Sequence, residues 1–230
     1  MLMLTRTRIA LPAAAVLLAL LLPMPCTAAQ EPPAQPAAEP AAQVRVTTSL
    51  GDFVIELRND RAPLTVANFL RYVREGFYSN TLFHRVIANF VIQGGGYDAG
   101  TLAAKPTHES VFNESGNGLQ NKRGAVGLAR TDAPHSGNAQ FFVDLVDNPD
   151  LDPVPTRWGY TVFGRVVQGM DVIDRIGETA TGAKGPWKTD APLKPVVIEK
   201  IEVIAPAGGS SAPAVTPVTP PPQNDILSPK

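Results

Sequence analysis

From Phe83 to Gly96 the chain reads Phe-His-Arg-Val-Ile-Ala-Asn-Phe-Val-Ile-Gln-Gly-Gly-Gly, setting Arg85 and Gln93 among apolar residues ahead of three glycines. A guanidinium stays charged at any working pH and presents several donors in one plane. It therefore suits either electrostatic work in a groove or an ordinary surface position with its stem laid over apolar neighbours. Other chemistries lack their parts. No Gly-x-Ser-x-Gly turn is present, and the adjacent His135-Ser136 has no third partner evident from spacing. His84, His108 and His135 are scattered without the spacing of a zinc site. Gly94, Gly95 and Gly96 lack the Lys-Ser/Thr that follows in a phosphate loop. Asn113-Glu114-Ser115 fits a glycosylation sequon, a triplet frequent by chance.

The elements that must position Arg85 follow from periodicity. Val44 to Thr47 alternates, Gly51-Asp52 marks a turn, and Phe53, Ile55 and Leu57 alternate again, which predicts an antiparallel hairpin. Thr65 is expected to cap a helix after Pro63, carried by Val66, Phe69, Leu70 and Val73 and stopped by Gly76. Further strands are expected at Leu82 to Ile87, Phe90 to Gln93, Gly124 to Ala129, Gln140 to Leu145, Tyr160 to Val167 and Val196 to Ile204, with a short helix near Met170 and Asp171. Many short strands with two separated helices and no regular alternation argue for an antiparallel barrel capped by helices.

The chain has 230 residues, 44% hydrophobic and 18% charged, an ordinary globular composition. Residues 1–29 combine Arg6 and Arg8, an apolar run from Ile9 to Leu22, and the small residues Cys26-Thr27-Ala28-Ala29. This pattern is expected to be a secretory signal peptide cut after Ala29, leaving no stable membrane insertion. The cut would also remove Cys26, the chain's one cysteine, so no disulfide or thiol chemistry is expected in the remainder. Beyond residue 29 the chain carries 18 basic and 21 acidic side chains, a balance without general attraction for nucleic acid. Residues 30–43, rich in Pro and Ala, and the Pro-rich 205–230 are expected to be a disordered linker and tail around one domain, 44–204.

Four stretches in order, FHRVIANFVIQGGG, GLART (Gly127 to Thr131), NAQFFV (Asn138 to Val143) and YTVFGRVVQGMDVID (Tyr160 to Asp174), resemble the cyclophilin family of peptidyl-prolyl cis/trans isomerases. The likeness is greatest to exported single-domain bacterial members. It implies a mainly β fold, a closed eight-stranded antiparallel barrel capped by two α-helices. It also implies Arg85 as the catalytic Arg, with Gln93 and Gln140 beside it. Phe90, Val91, Phe142, Leu151 and Tyr160 are implied as the proline pocket, and Ala129 and Arg130 as the strand that pairs with substrate. Arg130 stands where many members have Asn, Tyr160 where many have His, and Asp150 where a Trp is frequent. Trp158, in a lengthened segment from Asp152 to Gly159, could supply the missing indole.

Rotation about an X-Pro bond breaks no bond, so such an isomerase needs no metal or cofactor. The implied partners are Pro-containing unfolded or flexible polypeptides, and the expected form is a monomer exported to a bacterial periplasm. The alternative expectation is a catalytically weak cyclophilin-like binding module or holdase for Pro-containing segments.

Overall fold

The computed structural model describes residues 41–204. The expected signal peptide, the tail and all but the last residues of the expected linker lie outside them. In chain order the elements are β1 (Gln43–Thr48), β2 (Gly51–Leu57), α1 (Pro63–Arg74), β3 (Thr81–Ile87), β4 (Val91–Asp98), β5 (Ala125–Leu128) and β6 (Phe141–Asp144). A single 3-10 turn at Pro149–Leu151 follows, then β7 (Val162–Gln168), α2 (Met170–Gly177), β8 (Thr181–Lys184), β9 (Trp187–Pro192) and β10 (Val196–Ile204). Gln43, the last residue of the expected linker, already pairs with Glu56 and Ile204.

Eight strands close into an antiparallel barrel in the order β1-β10-β3-β4-β6-β5-β7-β2. Alternation supplies its interior: Val44, Val46, Phe53, Ile55 and Leu57 are fully or almost fully buried, as periodicity predicts. The helices add Val66, Phe69, Tyr72 and Val73 from α1 and Val172, Ile173 and Ile176 from α2 to the same core. Phe69 is central, its ring 5.1 Å from that of Phe163 and edge-on to Phe141 at 5.8 Å.

The start of α1 departs from expectation. The helix begins at Pro63, whose missing N–H costs nothing at that position, and no side chain of its own end caps it. Instead, the Glu114 carboxylate accepts hydrogen bonds from the N–H groups of Leu64 and Thr65, at 3.1 and 2.8 Å, and from the Thr65 hydroxyl at 2.7 Å. Thr65 is thus a donor to the cap rather than the cap. Its negative partner also complements the positive end of the helix dipole.

Two further expectations are corrected. The three glycines do not end their strand: β4 runs through them to Asp98. The hairpin of β8 and β9 was not foreseen, because Thr-Gly-Ala-Lys and Trp-Lys-Thr-Asp-Ala-Pro carry no apolar alternation. Phe90, Gln140 and Tyr160, expected at strand starts, lie just before β4, β6 and β7. No helix among the described residues is long and apolar enough to cross a membrane.

Candidate active site

Pairing between β3 and β4 sets Arg85 opposite Gln93 but Phe83 opposite Gly94, so His84 is an extra residue on its strand. Such a bulge re-aims the neighbouring side chains. His84 is buried between the rings of Tyr97 and Trp187, the latter on β9. Burial holds its imidazole down to about 4, so it stays neutral. Arg85 is left half-buried beside Gln93, with Nη1 3.5 Å from Gln93 Oε1, the outer limit of a hydrogen bond. Gln93 Nε2 donates to Gln140 Oε1 at 3.0 Å. With its amide NH2 turned to Gln140, Gln93 points its carbonyl oxygen, an acceptor, toward the guanidinium.

The glycines make this row possible. A Cβ on Gly96 would lie 2.5 to 2.7 Å from Gln140 side-chain atoms, so the bare backbone at 96 is the space Gln140 occupies. On β5, Gly127 faces Phe142, and a Cβ there would meet the ring at 2.1 to 2.7 Å. The missing side chain lets Phe142 stand over the strand, where Tyr160 meets it edge-on at 5.8 Å.

Arg85, Phe90, Val91, Gln93, Ala129, Arg130, Phe142, Leu151 and Tyr160 line one cavity of about 330 Å³. Gln140 stands behind Gln93 through their hydrogen bond. All ten residues singled out in the sequence therefore gather in one place. Two of them make contacts that the sequence does not show. The Ala129 N–H already donates to the Gln140 carbonyl at 2.9 Å, so it is not free for a substrate strand. The Arg130 side chain lies over the Tyr160 ring, 4.4 Å from its centroid, and donates to the carbonyls of Thr131, Trp158 and Gly159. It clamps the segment that carries Tyr160.

Trp158 does not line this cavity. It packs edge-on against Phe112 and His135 and borders a second cavity, so the place of the missing indole is left to Asp150, exposed in the 3-10 turn. Asn113 is buried and donates to the carbonyls of Pro134 and Gly159, which removes it as a glycan acceptor.

Sequence reasoning missed the residues beneath the walls. Asn148 Nδ2 donates both to the Phe90 carbonyl at 3.1 Å and to Asp144 Oδ1 at 2.6 Å. The Asn148 carbonyl accepts from the N–H of Leu151. One residue, through its side-chain amide and its main-chain carbonyl, therefore ties two walls of the cavity to the end of β6. Asp144 is fully buried with Oδ2 unpartnered, and burial pushes its carboxyl up to about 7. Nothing in apolar periodicity marks such a network, although Asp144 ends an otherwise apolar run. Among the described residues no three His, Cys, Asp or Glu side chains gather as a metal site.

An arrangement of ring-sized apolar walls around fixed donors can grip a compact apolar ring and polarise an adjacent amide; it holds no evident nucleophile. A family model described as cyclophilin type peptidyl-prolyl cis-trans isomerase/CLD matches residues 43–203. The chain is 52% identical over 159 residues to peptidyl-prolyl cis-trans isomerase B of Escherichia coli (strain K12), covering 68% of this chain and 96% of that one. It is 46% identical over 164 residues to the isomerase cyp18 of Streptomyces antibioticus, covering 70% and 98%. A crystal structure of a Cryptosporidium parvum cyclophilin type isomerase in the presence of the dipeptide Ala-Pro matches with a TM-score of 0.61 at 26% identity, covering 71% and 99%.

Proposed function

The chain belongs to the cyclophilin-type peptidyl-prolyl cis-trans isomerase family and is such an isomerase, acting on Pro-containing peptides; from that premise we propose that Arg85 is its catalytic group and that it serves the folding of exported polypeptides as a monomer in a bacterial periplasm. The observation that supports the site is the convergence of the Arg85 guanidinium with Phe90, Val91, Phe142, Leu151 and Tyr160 on a single cavity.

Resonance opposes rotation about a peptide bond with a barrier of about 18–20 kcal/mol, and X-Pro exchange takes tens to hundreds of seconds. In the proposed mechanism Phe90, Val91, Phe142, Leu151 and Tyr160 hold the Pro ring. As the preceding amide twists, its nitrogen becomes pyramidal and gains a lone pair, and the Arg85 donors favour that form over the planar one. Gln93 holds the guanidinium through its oxygen, and Gln140 has its side-chain amide NH2 left for the substrate carbonyl. No proton is transferred and no covalent intermediate forms.

The periplasmic reading draws on Arg6, Arg8, the apolar run and the small residues before Ala29. Intact mass of the protein from the exported fraction tests it: loss of residues 1–29 is expected, and the mass of residues 1–230 would overturn it. The site reading is tested by titrating an Ala-Pro peptide and following NMR shifts. Phe90, Phe142 and Tyr160 should move together, and shifts confined to another face would overturn the assignment.

A further inference from the structure

Beside the Arg85 cavity a second group of rings turns outward. Phe112 and His135 stack with centroids 4.2 Å apart and planes 15° from parallel. Trp158 meets both edge-on, 5.8 Å from Phe112 and 5.2 Å from His135. Phe112 is 55% exposed and Trp158 42%. Trp158 also borders an open cavity of about 370 Å³ whose walls include Pro153, Val154 and Pro155, and Val154 is itself 48% exposed.

Polar bonds that involve neither the Phe112 ring nor the Trp158 ring already join these segments. Asn113 donates to the carbonyls of Pro134 and Gly159 and, from its N–H, to His135 Nδ1 at 3.1 Å. Gly159 N–H donates to the Ser115 hydroxyl, and Arg130 holds the carbonyls of Trp158 and Gly159. Phe112 and Trp158 nevertheless turn large apolar surface outward, and clustered exposed apolar surface of this kind marks a binding face. It is also joined to the Arg85 cavity through one short segment and one side chain. Trp158 precedes Tyr160 by two residues, a span of at most about 7 Å, and Arg130 touches both sites by lying over Tyr160 while holding Trp158.

We propose that Phe112, His135 and Trp158, with the adjoining cavity at Val154, form an accessory subsite for an apolar or aromatic side chain of the substrate polypeptide, a few residues from its Pro. The proposal rests on the Arg85 cavity being the isomerisation site. It gives the enzyme a means of favouring unfolded chains, since a folded protein keeps most large apolar side chains inside and an unfolded one presents them next to its prolines. Binding there lowers KM and leaves the twisting step alone.

The test uses the full chain and protease-free NMR exchange on three kinds of peptide. One is an Ala-Pro tetrapeptide; the second has that core flanked by Gly and Ser; the third replaces residues three and four from the Pro, on one flank or the other, by Leu and Trp. The wild type should turn over one of the Leu-Trp peptides with a kcat/KM about three- to ten-fold above the Gly-Ser peptide, mostly through KM. Phe112→Ser with Trp158→Ser should erase that advantage while tetrapeptide exchange stays within about two-fold, and Trp158→Phe should keep most of it. An advantage that survives the double substitution overturns the proposal. So does an absence of advantage on either flank in the wild type, whether a second copy or the chain's own residues 205–230 hold the patch. Arg85→Ala, run on the tetrapeptide alone, reports separately on the isomerisation site: undiminished exchange there contradicts that site and overturns the subsite with it.

Discussion

Arg85 has an amide oxygen rather than a carboxylate facing it, and that choice leaves the guanidinium available. A carboxylate would bind the donors the reaction needs, whereas Gln93 orients them weakly from 3.5 Å. Gln140 then fixes Gln93, and Gly96 provides the room for Gln140. A methyl group at 96 would push a flexible side chain rather than backbone, so Gly96→Ala should move stability by no more than about 1 kcal/mol. Breaking the Gln93–Gln140 bond should cost about 0.7–1.4 kcal/mol in the twisted state, a three- to ten-fold fall in kcat/KM. Exchange kinetics and thermal melting of this variant separate the two effects, and unchanged kinetics would remove Gln140 from the account. Arg85 was legible in the sequence through the family resemblance, since a lone guanidinium on a strand is equally a surface charge with its stem over apolar neighbours. The roles of Arg130 and Asn148 were not, since each acts on backbone carbonyls that any sequence would supply.

Among the elements, the eight barrel strands were visible wherever one face is buried, as in Phe53, Ile55 and Leu57 of β2. Their order around the barrel was not, because alternation says which face is inward and nothing about neighbours; the family resemblance implied the closed barrel, and the structure supplies the order. β8 and β9 were invisible for the complementary reason: their residues are mostly exposed or half-buried. The cap on α1 joins residues 49 apart, beyond any local pattern. Glu114→Ala leaves the first-turn N–H groups without their acceptor and should destabilise the domain by about 1–2 kcal/mol, lowering the thermal midpoint by roughly 3–6 °C. Glu114→Gln, which keeps one acceptor oxygen, should lose less. Equal midpoints for Glu114→Ala and wild type would show that solvent serves the helix end equally well.

For the molecule as a whole, two buried groups pull the pH dependence of stability in opposite directions. Asp144 keeps its proton in the folded state up to about 7, while the unfolded chain releases it near 3.8, so its contribution is fully present below the lower value and is lost as pH rises to the higher. His84 refuses a proton down to about 4, while the unfolded chain takes one near 6.5, so its contribution is lost as pH falls through that window. Between about pH 4 and 6.5 the two slopes largely cancel. Asp144→Asn, which retains an acceptor for Asn148, removes one of them. Its stability relative to wild type should therefore rise with pH between 4.5 and 7.5, by up to about 1.4 kcal/mol per pH unit. Urea melts at four pH values check this, and a pH-independent difference would contradict it.

The barrel, the bulge at His84 and the glycines all serve to hold one guanidinium beside a ring-sized pocket, so the most direct measurement is Ala-Pro peptide exchange by NMR with Arg85→Ala protein, alongside its thermal midpoint on the same preparation. The account predicts a midpoint close to wild type and a kcat/KM lower by about 10²–10³, or roughly 3–4 kcal/mol of lost transition-state stabilisation. Exchange as fast as wild type, from a protein that melts normally, would contradict it.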